Sequence, residues 1–290
     1  MTMLADHEIF LVPQQFSTIQ SAINAAVGPA TIIVAPGVYR ESLQVQGRQY
    51  LVIQSARLSR RGVTLVGGDA VIAVLTVTAS ALHLSGIEVR SNAQMRGIFA
   101  EGSTLSLQDC IVAGNRIGHD SADLAGAGML CRGSSVRIQK SMVIGNLVDC
   151  PARPAASGGG LHFHGCKIEI AGSTVQANVV YAAGEARGGG VCCERSTMRM
   201  WRSRVTDNAL YAPSSEGGGM YFKNPLGCQL GGSVITGNSC HEGSGGGIFV
   251  EGDDSKLSVH RNTAVRQNHP TDLQIREKQD PSETASPGSV

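Results

Sequence analysis

Between residues 95 and 268 the apolar and polar residues repeat in one pattern, written six times. Each copy opens on a glycine-rich step. A hydrophobic doublet spaced by two follows, then a second alternating segment, then an apolar residue three before an asparagine. The clearest copies run Gly158-Gly159-Gly160-Leu161-His162-Phe163 to Asn178, Gly188-Gly189-Gly190-Val191-Cys192-Cys193 to Asn208, and Gly217-Gly218-Gly219-Met220-Tyr221-Phe222 to Asn238. Weaker copies start at Gly97-Ile98, Gly128-Met129 and Gly247-Ile248. The asparagines at 115, 146, 178, 208, 238 and 268 recur after 31, 32, 30, 30 and 30 residues. A fixed period in this range predicts a stacked solenoid, each repeat burying its apolar face against its neighbours.

The alternation gives the register. The first and third residues after the glycines are apolar or small: Ile98/Ala100, Met129/Cys131, Leu161/Phe163, Val191/Cys193, Met220/Phe222 and Ile248/Val250. They are expected to point inward. A second strand places Leu105/Leu107, Val136/Ile138, Ile168/Ile170, Met198/Met200 and Leu257/Val259 inside. A short third strand buries Val112, Val143, Val175, Val205, Ile235 and Val265. Three inward faces per winding make a triangular tube, with equivalent residues stacked about 4.8 Å apart. The six asparagines should then form a ladder, and the glycines should mark corners that need positive φ or close backbone approach.

From the third glycine to the asparagine the spacing is 18 residues in four copies, then 19 and 21. The variable part therefore follows each asparagine: Arg116–Ala125, Leu147–Ala156, Val179–Arg187, Ala209–Glu216 and Ser239–Ser244. These five stretches are expected to be loops that form a wall along one side of the stack, where function usually sits on a repeat scaffold. At the start, Ile19, Ala22, Ile23 and Ala26 give one apolar face, with Ser17 as N-cap and Gln20 three later. This predicts a helix capping the open end of the stack. The expected organisation is a strand and capping helix over 1–28, the solenoid over 29–268 with roughly nine to ten coils, and a disordered polar tail over 269–290.

Composition narrows the class. Formal charge is +1 and aromatics are 4% of 290 residues. No bulk field attracts nucleic acid or a membrane surface, and no apolar run reaches spanning length. Residues 1–13 lack the basic and apolar regions of a secretory leader. The eight cysteines show no paired metal spacing. They read as reduced thiols of a cytoplasmic protein, a secreted chain whose leader has been removed being the alternative.

Residues 10–268 resemble the parallel β-helix proteins of the pectate-lyase-like superfamily. Val12-Pro13, Thr18-Ile19-Gln20-Ser21-Ala22-Ile23 and Ala35-Pro36-Gly37-Val38-Tyr39-Arg40-Glu41 resemble the opening of pectin methylesterases. The resemblance implies an all-β, single-stranded right-handed parallel β-helix. It does not extend to the chemistry. The methylesterase motifs resembling Gln-Asp-Thr-Leu and Asp-Phe-Ile-Phe-Gly are absent, as is the lyase Arg-x-x-Pro-x-x-Arg. Gly252-Asp253-Asp254 stands without the companions it has in polygalacturonases.

What remains is positional. The fourth residue after the glycines gives an outward column of Glu101, Arg132, His164, Glu194, Lys223 and Glu251. The second gives Phe99, Leu130, His162, Cys192, Tyr221 and Phe249. In the middle coils this makes a patch beside the loops. His162 or His164 is expected as general base, Glu194 as the partner acid or orienting group, and Arg132 and Lys223 as cations for a charged substrate. Tyr221, Cys192, His119, Asp120, Glu185, Glu216 and His241 are the expected substrate-binding residues. His162 and His164 could also hold a metal with a loop carboxylate, and Cys192 could be a nucleophile with its base, but no metal or cofactor is assigned. The leading reading is a lyase, epimerase or hydrolase acting on a carbohydrate or other polar substrate. A non-catalytic scaffold with a solvated charge ladder, and a small-molecule biosynthetic enzyme, stay open beside it. The oligomeric state is not legible.

Overall fold

The computed structural model describes residues 7–57, 62–67, 72–118, 120–121 and 123–276. His119 and residues 277–290 lie outside them. The chain winds as a parallel β-solenoid with little helix. Three long sheets of ten, nine and nine strands run along it. The nine to ten coils expected correspond to these strand counts, while complete turns number about seven. The first sheet runs from Glu8–Val12 to Leu257–Val259, the second from Gly37–Arg40 to Ala264–Arg266, and the third from Leu43–Gln46 to Leu273–Arg276. Among the described residues every strand-to-strand pairing is parallel, as in Leu161↔Val191, His162↔Cys192, Phe163↔Cys193 and His164↔Glu194, with one isolated antiparallel bridge at Met95↔Arg116.

The inward positions are those the alternation predicts. Ile98, Met129, Leu161, Val191, Met220 and Ile248 are fully buried, as are Met198, Met200 and Val205. They form one continuous core. The exceptions fall in the last coil: Leu257 and Val265 are half-buried and Val259 is 37% exposed, because no further turn of the first or second sheet lies beyond them.

The corners carry the buried polar groups. Asn146 Nδ2 donates to Asn178 Oδ1 at 2.9 Å, Asn178 Nδ2 to Asn208 Oδ1 at 2.9 Å, and Asn208 Nδ2 to Asn238 Oδ1 at 2.8 Å. Each backbone N–H also donates to the next asparagine's Oδ1, at 3.0–3.1 Å. The ladder runs from Asn115 to Asn268, where Asp272 takes the place of a further asparagine and accepts from Asn268 N and Nδ2. At the other end the buried Asn115 Oδ1 has no partner among the described residues. Two further ladders were not anticipated. Cys110, Ser141, Ser173, Ser203 and Ser233 stack at the corner before the second sheet, each N–H donating to the next serine Oγ at 3.1–3.2 Å. Ser80, Ser103 and Ser134 do the same before the first sheet. Beside the asparagines only glycine fits. A Cβ on Gly160 would lie 2.7 Å from Gly190 O and 2.9 Å from Asn178 Nδ2.

The stretches after the asparagines are not loops. They form two more parallel sheets. One has five strands, Arg116–Gly118, Leu147–Cys150, Val179–Ala182, Ala209–Tyr211 and Ser239–Cys240. The other has four, Ala155–Ser157, Glu185–Arg187, Ser214–Glu216 and Gly243–Ser244. Together they make a wing with its own small core of Val148, Val180, Leu210, Ala156 and Ala186. A further departure lies at the end of the chain. Leu273–Arg276, expected in the tail, pairs with Ile248–Glu251. At the start the helix spans Ile19–Ala25 and its N-cap is Thr18 rather than Ser17. The Thr18 side chain accepts from Ser21 N, and the Glu41 carboxylate accepts from Ile19 N and Gln20 N at 2.9 Å each. The helix buries Ile19, Ala22 and Ile23 against the end of the core. Among the described residues no helix is long and apolar enough to cross a membrane.

Asn178→Ala would leave the Asn146 backbone N–H, and one of the two Nδ2 hydrogens of Asn146, unpaired in a buried corner. An expected loss of about 3 kcal/mol follows from two unsatisfied groups, measured as a lower urea midpoint. Asn268→Ala, at the exposed rim, should cost clearly less. Equal losses at both positions would contradict the ladder's role in stability.

Candidate active site

The wing decides which outward residues reach solvent. Its four-stranded sheet leads through the glycine turns into the third sheet. Gly188, at φ +61°, makes one such turn, where a Cβ would come 2.5 Å from Val191 O. The returning strand therefore lies against the outward face of the third sheet. The second outward column, expected on an exposed patch, is consequently buried. Cys192 and Tyr221 are 0% exposed and pack with Phe249. Tyr221 stacks on Phe249 with ring centroids 5.9 Å apart, and the Arg187 guanidinium stands 5.5 Å from the Tyr221 ring.

One small cavity, about 250 Å³, opens between the wing and the third sheet. Asp123, Ser157, His162, Glu185, Arg187 and Glu194 give it its polar lining. Two larger concavities of about 850 and 690 Å³ lie on the outer face of the first sheet. They contain no histidine in their lining, and the central charges of the larger one, Arg137 and Glu169, neutralise one another at 3.1 Å. The small cavity is the one whose lining brings carboxylates to a buried histidine, so it is the candidate site.

His162 is 8% exposed. Its Nδ1 lies 3.0 Å from Ser157 Oγ, a contact between wing and sheet that fixes the ring. Burial pushes its pKa down to about 4, against the opposing pull of the Glu194 and Asp123 charges, so the ring is neutral at neutral pH. Cys192 sits beside it on the next strand. Its Sγ approaches Glu194 Oε1 at 3.8 Å. Burial, and then the Glu194 charge, hold the thiol well above its ordinary value. The other Glu194 oxygen lies 3.5 Å from His164 Nδ1. A His162 ring nitrogen, Cys192 Sγ and a Glu194 oxygen all lie within 4.8 Å of one another. Among the described residues this is the group whose composition and spacing suit a metal ion. All eight cysteines are buried free thiols.

The remaining expected site residues divide. Glu185 lines the cavity. Arg132 pairs with Asp123 at its edge. Glu216, its side chain 6% exposed, holds Arg187 at 3.2 Å and also pairs with Arg276. Lys223 lies one strand beyond Glu194 and is 3.5 Å from Glu251, which also accepts from the Tyr221 hydroxyl. Burial opposes ionisation of Glu251, but Tyr221, Lys223 and Arg187 together outweigh it and keep its pKa below the ordinary value. Lys223 and Tyr221 are thus engaged with each other's partner and do not line the cavity. His241, just past the Ser239–Cys240 wing strand, packs tilted against Tyr211 with ring centroids 5.7 Å apart, and Asp120 is absent from the lining. Ser157 was missed. Its signal was its place one residue before a glycine triplet, in the segment read as loop.

No family profile and no curated protein matches the sequence. Solved structures do. Pectin methylesterase from carrot is similar at 10% identity and a TM-score of 0.48, over 98% of this chain and 91% of that one. Pectin methylesterase PemA from Erwinia chrysanthemi is similar at 12% identity and 0.45, over 96% and 95%. Pectate lyase Pel9A is similar at 14% and 0.40, over 90% and 78%. The strand register itself defines this chain as a parallel β-helix.

An unfolded histidine titrates near 6.5 and folded His162 near 4. Between these values the unfolded chain binds the extra proton, so stability rises with pH through this window and the contribution is complete above it. With a chelator present, the wild type's resistance to urea should fall as pH falls from about 6.5 toward about 5, and His162→Gln should flatten that slope. Parallel slopes would show that His162 is not buried neutral.

Proposed function

We propose that this chain is an enzyme that performs acid/base chemistry on a compact, neutral, hydroxyl-rich substrate such as a single sugar unit. The observation that carries the reading is the convergence, in one cavity of about 250 Å³, of a ring-fixed neutral His162 with Glu194, Glu185 and Asp123. A neutral imidazole offers a lone pair for a proton. A nearby carboxylate supplies the second acid/base group. Carboxylates also accept hydrogen bonds from sugar hydroxyls.

The charge balance supports a neutral substrate over an acidic one. Arg132 is committed to Asp123, and Lys223 to Glu251. Arg187, the cation in the lining, is already held by Glu185 at 3.0 Å and Glu216 at 3.2 Å. None of these is left over for a substrate carboxylate. The cavity's small size, about 250 Å³, favours one sugar unit or a chain end over the middle of a long polymer. The activities in the names of the similar structures, pectin methylesterase and pectate lyase, belong to those proteins. Here they agree with a carbohydrate substrate at the level of compound class.

The test is a panel of neutral and acidic oligosaccharides and their esters, assayed for turnover and for saturation-transfer binding. Glu194→Gln should lower kcat by about a hundredfold or more with little change in KM, and neutral sugars should be preferred. Binding without turnover on every compound would identify a binding module instead. Turnover indifferent to both Glu194→Gln and His162→Ala would place the chemistry elsewhere.

A further inference from the structure

We infer that His162, Cys192 and Glu194 form a binding site for one zinc-like divalent ion, opening onto the cavity under the wing. The inference deepens the proposed function, and rests on that cavity being the working site; with the ion bound, His162 and Glu194 serve as its ligands and the acid/base role passes to the other lining carboxylates, Glu185 and Asp123. Its basis is geometric. Strand pairing sets His162 opposite Cys192, and Glu194 follows two residues later on the same face. The three side chains thereby offer a nitrogen, a sulfur and an oxygen within 4.8 Å of one another. The Cys192–Glu194 separation of 3.8 Å is close to that between two ligands of a tetrahedral ion with bonds of about 2.0–2.3 Å.

The surroundings suit a cation. Ser157 holds Nδ1 of the His162 ring, the kind of outer contact that orients a metal-bound imidazole. His164 lies 3.5 Å from the Glu194 oxygen Oε2 and keeps that carboxylate turned toward the group. Asp123, Glu185 and Glu194 give the lining three carboxylates, with Arg187 the cation beside them. A mixed set of nitrogen, thiolate and carboxylate ligands selects zinc over magnesium or calcium, which take oxygen ligands. Three protein ligands leave a fourth position, and two of the three, His162 and Glu194, line the cavity. That is the arrangement of a catalytic rather than a structural zinc site. Cys192 would bind as the thiolate, releasing its proton to solvent as the ion enters. Its role is then that of a ligand, which accounts for a buried thiol placed among ionisable groups.

The experiment uses the full chain, freed of metal with a chelator and titrated with Co²⁺ and with Zn²⁺. Co²⁺ should bind at one ion per chain, with the visible bands of a four-coordinate site and a sulfur-to-metal charge-transfer band. Cys192→Ser should abolish the charge-transfer band. Ser157→Ala should keep it while weakening affinity roughly 10–100-fold. Should the Cys192 variant fail to fold, the wild type decides alone. Zn²⁺ must raise its Tm and Co²⁺ must give the charge-transfer band. Absence of that band in the wild type, or its persistence in a folded Cys192→Ser, overturns the site. The two readings fail separately. Turnover that survives complete metal removal but requires His162 removes the ion and keeps the enzyme. Stoichiometric Co²⁺ with no turnover on any compound keeps the ion and removes the enzyme.

Discussion

The chain depends on satisfying polar groups at corners that no water reaches. A solenoid turns its backbone three times per winding, and each turn leaves amides that cannot enter a sheet. An unpaired buried amide costs on the order of 1–3 kcal/mol, repeated at every corner of every winding. The asparagine column solves this by translation. From Asn115 to Asn238 each side chain bonds the next asparagine and a valine carbonyl in the winding before, as Asn178 Nδ2 does with Asn208 Oδ1 at 2.9 Å and Val143 O at 3.1 Å. The serine columns use the same device with shorter side chains, as at Ser141 and Ser173. The period of the sequence follows from this. A residue inserted between asparagine and glycines is tolerated only outside the column, which is where the wing lies.

The wing in turn creates the site. Without it the outward face of the third sheet would be an exposed ladder of side chains. With it, Cys192 and Tyr221 lose all solvent contact. The low dielectric beneath the wing keeps His162 neutral and raises the Cys192 thiol. The packing of Arg187 over the Tyr221 ring and the Arg276–Glu216 pair fasten the wing to the third sheet, while the Arg187–Glu216 pair at 3.2 Å ties adjacent wing strands together. These are contacts between a partly buried guanidinium and groups deeper inside, stronger than surface ion pairs. They hold the wing shut over the neighbouring strands, and the cavity remains where the lining turns polar at Ser157 and His162.

Much of this was readable in the residues. The inward pairs such as Leu161/Phe163 and Met198/Met200 were legible because apolar alternation is a direct consequence of burial. The asparagine column was legible because its phase is nearly constant. The wing strands were not, because Ala155–Ser157, Glu185–Arg187 and Ser214–Glu216 carry little strand propensity. They are strands because stacking on the next copy provides their hydrogen bonds. That miss propagated to the site. Cys192 and Tyr221 point away from the main core as expected, but what covers them is a segment that looks like loop. Phase alone put His162 beside Glu194, and Glu185 was named among the residues of the stretch read as loop; all three line the one cavity. Ser157 and Arg276 were not found, the first because serine is common in turns, the second because its neighbours in sequence are polar and charged. The serine columns were hidden for a similar reason, since one position in each is filled by cysteine, at Cys110 and Cys166.

The central claim is that the asparagine column locks the windings together along the edge from which the wing departs. Amide hydrogen exchange reads this directly. The backbone N–H groups of Asn146, Asn178 and Asn208 should exchange only through global unfolding, among the slowest in the chain and with the same denaturant dependence as the core strands. Exchange of these three amides at the rate of exposed turns would show that the column is not closed and would contradict the account.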